Sequence, residues 1–176
     1  MEVDWCAGWC SLEASLKSIV FITGIPSSGK SAVTKELVAL ANFVEVVETD
    51  VEIRRMDLGA NTLFNARNIF RGVLDKIDDL SDSGNVIVDG SPPASYVAEA
   101  RERFGGRALF VSLRVTDVRR RAREGCRRDR SPIQWNEGMT ALQGDPELYD
   151  VVIETSNRSA RECALEIRDA AMRMDD

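Results

Sequence analysis

Gly24-Ile-Pro-Ser-Ser-Gly-Lys-Ser31 sets two glycines five residues apart and follows the second with a lysine and a hydroxyl. The glycines let the backbone curl until successive N–H groups face one point, where they suit phosphate oxygens. Lys30 adds a full positive charge, and the Ser31 hydroxyl can ligate Mg²⁺. The apolar run Ser18-Ile-Val-Phe-Ile22 ahead of the loop reads as a strand, and 32–40 reads as a helix whose N-terminus adds partial positive charge. Strand, loop and helix in register separate a phosphate-binding P-loop (the Walker A pattern) from an ordinary glycine-containing turn. Gly24, Ile25, Pro26, Ser27, Ser28, Gly29, Lys30, Ser31 and Ala32 are therefore the expected cradle of a nucleoside triphosphate.

Two aspartates close strands near this loop. Asp89 ends Asn85-Val-Ile-Val-Asp89 in the manner of a Walker B carboxylate, where it can hold Mg²⁺ or its water shell together with Ser31. The plainer reading is a turn or helix-capping aspartate. Asp50 follows the apolar stretch 42–49 on the same edge. There it can take the proton of an incoming hydroxyl, or simply cap the helix starting at Val51. Arginines far outnumber acids between Arg101 and Arg130. Phosphoryl transfer needs cations over the migrating group, and a mobile lid can deliver rigid, always-charged guanidinium groups to it. Past the helix-ending Gly125, Arg127 and Arg130 are the expected active members, with Arg119 and Arg123 in reserve; a solvated helix face accounts for others. Arg54, Arg67 and Arg71 follow Asp50 and are candidates for acceptor contact or ordinary surface charge.

Positioning these groups takes alternating strands and helices. Strands are expected at about 18–23, 42–49, 85–89, 107–113 and 149–155, with helices at 32–40, 51–80 (broken near Gly59-Ala-Asn61), 94–104, 116–125 and 159–174. That alternation predicts an α/β fold, a five-stranded parallel sheet with helices on both faces and ligands at the carboxyl ends of its strands. Residues 1–16 read as an N-terminal extension and 17–176 as a single domain. With 176 residues and 44% apolar content, the chain can bury a core without disulfides or metal. A net charge of −6 argues against nucleic acid as the main partner. There is no signal-peptide pattern at the start and no membrane-length apolar run, so a cytoplasmic location is expected. Cys6 and Cys10 are four apart, not the three of a redox or zinc pair, and with no histidine to complete a mixed metal site they read as free structural thiols. Trp5 and Trp9 share that spacing, giving a short apolar face suited to packing or to contact with a second copy in a homodimer.

The chain resembles the chloramphenicol phosphotransferase-like group of small P-loop kinases. The resemblance rests on Gly24-Ile-Pro-Ser-Ser-Gly-Lys-Ser31, Thr49-Asp50, Arg127-Arg-Asp-Arg130 and the closing Tyr149-Asp-Val-Val-Ile-Glu-Thr155 with Ser159 to Ala164. It implies the P-loop kinase fold with a short arginine-rich lid, ATP as donor, Asp50 as the base, and lid arginines at Arg127 and Arg130. In 55–100, Asp57-Leu-Gly59 and Arg67-Asn-Ile-Phe-Arg71 look more like adenylylsulfate kinase. The expected activity is transfer of the γ-phosphoryl group of ATP, with Mg²⁺, to a hydroxyl of a small-molecule acceptor. Lys30, Asp50, Arg127 and Arg130 would be catalytic, Asp50, Arg54 and Arg67 would meet the acceptor, and Ser31 and Asp89 the metal. A nucleotide kinase acting on a nucleoside monophosphate or adenylylsulfate, and a non-catalytic ATP-sensing module, are the rival readings.

Overall fold

Ile19–Gly24 forms the first strand, β1, and its apolar residues run without alternation because both of its faces are covered. The computed structural model describes residues 19–40, 44–55, 63–126 and 146–174. Four further strands lie parallel to β1: β2 (Val44–Glu48), β3 (Asn85–Asp89), β4 (Ala108–Arg114) and β5 (Val151–Glu154). Their order across the sheet is β2-β3-β1-β4-β5. The expected five-stranded parallel sheet is what forms.

Helices close both faces. Val20, Ile22, Leu109, Val111 and Ile153 pack against α1 (Lys30–Leu40) and α6 (Ala160–Met172), meeting Val33, Leu37, Cys163 and Ile167. Ile19, Phe21, Val86, Val88 and Phe110 face the other way, toward Phe70, Val73, Leu74 and Ile77 of α3 (Leu63–Ser81) and Val97 and Phe104 of α4 (Ala94–Phe104). On that side Phe21 stacks on Phe110 with ring centroids 4.8 Å apart. Two shorter helices follow strand ends directly: α2 (Thr49–Arg55) after β2 and α5 (Asp117–Gly125) after β4. Ser159 starts α6 with a capping box, accepting from the Glu162 N–H while the Glu162 carboxylate accepts from its own.

The expected second strand, 42–49, overruns the observed one. β2 ends at Glu48, and Thr49 and Asp50 already belong to α2. Thr49 is fixed at the turn: its hydroxyl donates to the Asp89 carbonyl (3.3 Å), and it packs where Gly90 has no side chain, a Cβ there falling 1.9 Å from Thr49 Oγ1. α1 also starts earlier than expected, at Lys30, so Lys30 and Ser31 sit in its first turn. Residues 1–16 with Trp5, Cys6, Trp9 and Cys10, the turn at Gly59-Ala-Asn61, and Arg127 and Arg130 lie outside the described residues. Among the described residues no helix is long and apolar enough to cross a membrane.

Candidate active site

β1 delivers the loop. Gly24 ends the strand at φ 151° and Gly29 precedes α1 at φ 104°, both conformations that side chains resist. At Gly24 a Cβ would also fall 2.5 Å from the Leu113 carbonyl oxygen, so β4 leaves room there for glycine alone. Ser27 adopts a left-handed φ of 65° between them, which completes the curl. Lys30 folds back over its own loop, its Nζ donating to the carbonyls of Gly24 (2.9 Å) and Ile25 (3.3 Å). In the first turn of α1 the N–H groups of Ala32 (3.1 Å) and Val33 (3.0 Å) donate to the Gly29 carbonyl, which closes the helix start on the second glycine of the loop.

β3 supplies the opposing carboxylate. Asp89 is buried, 7% exposed, and accepts hydrogen bonds from the hydroxyls of Thr34 (3.3 Å) and Ser31. Burial pushes its carboxyl above the ordinary aspartate range, opposed by the Lys30 charge and those two hydroxyls. Glu48, its register partner on β2, pushes in the same direction as burial. Ser91 Oγ donates to the Gly24 carbonyl at 2.7 Å and ties the segment after β3 to the P-loop.

These groups surround a cavity of about 490 Å³ at the carboxyl ends of the strands. Pro26, Ser27, Gly29, Lys30, Ser31 and Ala32 form one wall, Glu48, Asp50, Asp89 and Ser91 the other, and Arg123 reaches in from α5. Asp50 stands exposed in the first turn of α2 on the cavity side. Among the described residues no three acidic or cysteine side chains converge to cage a metal. A hard cation here would rest on the Ser31 hydroxyl and the Asp89 carboxylate and keep waters, the manner in which Mg²⁺ is bound beside phosphates. The curled loop, the helix start and Lys30 complete a donor set that fits a polyphosphate with such a cation.

The described arginines of α5 divide by the partners they meet. Arg120 is held by Asp117 and Glu124, and Arg121 by Asp117. Arg119 extends to Asn157 Oδ1 at 3.5 Å. Among the described arginines it is Arg123, a reserve in the sequence reading, that reaches the loop: its Nη1 donates to the carbonyls of Ser28 (3.0 Å) and Ser27 (3.3 Å), and its Nη2 to that of Thr155 (2.7 Å). Arg71 pairs with Glu99 of α4 and does not line the cavity. Arg54 and Arg67 fall in α2 and α3, and their side chains lie outside the described residues. The sequence did not single out Glu48, Thr34 or Ser91. Glu48 carried a signal, an acid closing a strand, but Thr34 and Ser91 gain their places only through folding.

A parallel sheet of this order with a P-loop after its central strand, a carboxylate at the neighbouring strand tip and a cavity between them is the architecture of small P-loop kinases. The chain belongs to the chloramphenicol phosphotransferase-like protein family, whose model matches residues 17–172. Solved structures share the fold. The shikimate kinase of Acinetobacter baumannii, in complex with shikimate, superposes with a TM-score of 0.68 at 20% identity, covering 93% of this chain and 97% of that one. The tunicamycin resistance protein of Deinococcus radiodurans gives 0.67 at 20% identity, with 87% and 94% covered. The APS kinase of Mycobacterium tuberculosis, in complex with AMPPNP and APS, gives 0.64 at 20% identity, with 89% and 97% covered. No functionally curated protein matches the chain.

Proposed function

We propose that the protein is a kinase that binds Mg–ATP in the P-loop cavity and phosphorylates a hydroxyl of a small molecule entering beside α2. The observation that carries this reading is the convergence of Lys30, Ser31, Asp89 and Asp50 on one cavity of about 490 Å³. ATP supplies the transferable phosphoryl group and Mg²⁺ offsets its negative charge. The P-loop amides and Lys30 hold the phosphates and stabilise charge that grows during transfer. Ser31 and Asp89 hold the cation. Asp50, exposed within the cavity and free to face an acceptor, orients the hydroxyl and takes its proton. Arg123 adds positive charge at the Ser27–Gly29 bend, and Arg127 and Arg130 are the proposed lid donors, since they follow α5 directly.

A panel of small alcohols, nucleoside monophosphates and adenylylsulfate incubated with γ-labelled ATP tests the reading. A labelled ester of a small alcohol, formed by the wild-type chain and not by Lys30→Ala, is the expected result. ADP release with no phosphorylated product would favour a sensing module, and a labelled nucleotide product would make the protein a nucleotide kinase.

A further inference from the structure

Thr155 lies just beyond β5, 3% exposed, and does not line the cavity. Its hydroxyl is nevertheless at the centre of the contacts that fix the P-loop from behind. Thr155 Oγ1 is 2.7 Å from the Ser28 carbonyl and 3.0 Å from that of Arg114, sharing one proton between them, and accepts from Arg123 Nη1 at 3.1 Å. Its N–H donates to the Arg114 carbonyl at 2.8 Å, which continues the β4–β5 ladder and fixes Thr155 to the sheet. Arg123 Nη1 closes the arrangement on the same Ser28 carbonyl at 3.0 Å.

We propose that Thr155 is a positioning residue for nucleotide binding, acting through the peptide that joins Ser28 to Gly29; the inference rests on the P-loop reading above. The Ser28 carbonyl and the Gly29 N–H belong to one planar unit and point in opposite directions. A carbonyl captured on the outer side therefore turns the following N–H away from Thr155 and Arg123, toward the cavity wall that Gly29 forms. That peptide is the one needing restraint, because glycine at φ 104° has little intrinsic barrier to other conformations. Ser28 is fully buried, so a peptide flip there would leave its carbonyl without water to replace the lost partners. The edge strand thus acts as a fixed reference for the loop, and Thr155 touches no ligand.

The test compares Thr155→Val, which keeps the shape and removes the hydroxyl, with Thr155→Ser, which keeps the hydroxyl. Mg–AMPPNP affinity is measured by calorimetry, and amide exchange of residues 25–33 is measured in the ligand-free protein. Loss of the hydroxyl should weaken binding about tenfold, the scale of one hydrogen bond plus the loosened loop. It should also speed exchange in 25–33 while 19–23 of β1 stay as protected as in wild type, and Thr155→Ser should restore both. Unchanged affinity in Thr155→Val overturns the proposal, as does a Thr155→Ser protein as weak as Thr155→Val. A uniform rise in exchange across β1 and β4 would also overturn it, reducing Thr155 to a stability role. Should Thr155→Val not fold, Thr155→Ala carries the same two measurements. A wild-type chain that binds no nucleotide sinks the kinase reading and the ligand half of this one together, and the exchange measurement alone still decides whether Thr155 orders the loop.

Discussion

Asp89 keeps a charge where folding would prefer none. Its folded pKa stands above the unfolded value of 3.8, chiefly through burial, so the native chain holds that proton more tightly than the unfolded one. The stability this contributes is present in full below 3.8 and is lost as pH rises through the folded value. At neutral pH the ionised carboxylate therefore costs stability. Asp89→Asn should raise the melting temperature at pH 7 in chelator by roughly 2–4 °C, taking about 1 kcal/mol as the scale, with the gain shrinking toward pH 4. No gain at pH 7 would contradict the direction of the shift. The same substitution should raise the Mg²⁺ concentration needed for activity. Asp50→Asn should behave in the opposite manner, lowering turnover by about 10²–10⁴-fold with little change in Mg²⁺ requirement. A Mg²⁺ titration of both variants against a working acceptor separates the roles; if excess metal restores Asp50→Asn, Asp50 serves the cation and another group takes the proton. Both aspartates were legible because an acid at the end of an apolar strand stands out. Thr34 was not, since a threonine gives no sign in sequence of which distant oxygen it will meet.

The elements show where local pattern suffices and where contacts between elements override it. β1, β3 and β4 could be read from their unbroken apolar runs, because a central parallel strand has no polar face to display. β2 was read one residue too long at its carboxyl end, since Thr49 extends a β-favouring stretch, whereas in the fold Thr49 begins α2 with its hydroxyl on the Asp89 carbonyl. The arginine density placed the expected lid past Gly125, outside the described residues, and α5 itself held a further signal. Arg120 and Arg121 have acids one turn away, whereas Arg123 has arginine or cysteine at each position three or four residues distant. Arg119 lacks a local acid as well, so this signal leaves two candidates, of which Arg119 extends to Asn157 and Arg123 reaches the P-loop. α2 depends on a contact of the same kind. Glu52 is 8% exposed and accepts from Lys76 of α3 at 2.9 Å and from Arg55 at 3.0 Å. Lys76, the larger cause, holds the Glu52 carboxyl below its ordinary range, so the pair stabilises above pH 4.5 and fades as pH falls through the lowered value. Lys76→Met should destabilise the protein by about 1 kcal/mol in urea unfolding at pH 7, discounted for the lysine's partial exposure, and by less near pH 4. Turnover should fall with it, because Asp50 rides on α2. An equal loss at both pH values would show that Lys76 matters through packing alone.

At the scale of the whole molecule, the chain runs from β1 out to β2, returns to β3 beside β1, and then crosses β1 to β4 and β5, and the P-loop sits where that order reverses. Crossovers that part around one strand leave a crevice at its carboxyl end, which is why the P-loop cavity opens there. Both apolar layers include side chains of β1 and β4, so a ligand that braces the β1 loop acts on a strand common to both. Mg–ATP, binding only the folded chain, should therefore raise the melting temperature of the entire protein in one transition. At one hundred times the dissociation constant, mass action gives about 2.7 kcal/mol, or roughly 5–10 °C for a chain of this size. Lys30→Ala should leave the ligand-free melting temperature nearly in place, since the Lys30 Nζ donates to the loop carbonyls of Gly24 and Ile25 and the apolar core is untouched. It should abolish most of the ligand-induced rise at the same nucleotide concentration, because the central phosphate cation is gone. A Lys30→Ala protein that keeps the full rise would mean that the nucleotide binds elsewhere, and the assignment of the cavity at the end of β1 would fail. A rise confined to one of two separate transitions would instead mean that the two layers melt independently, and that the sheet does not carry the effect of the loop across the molecule.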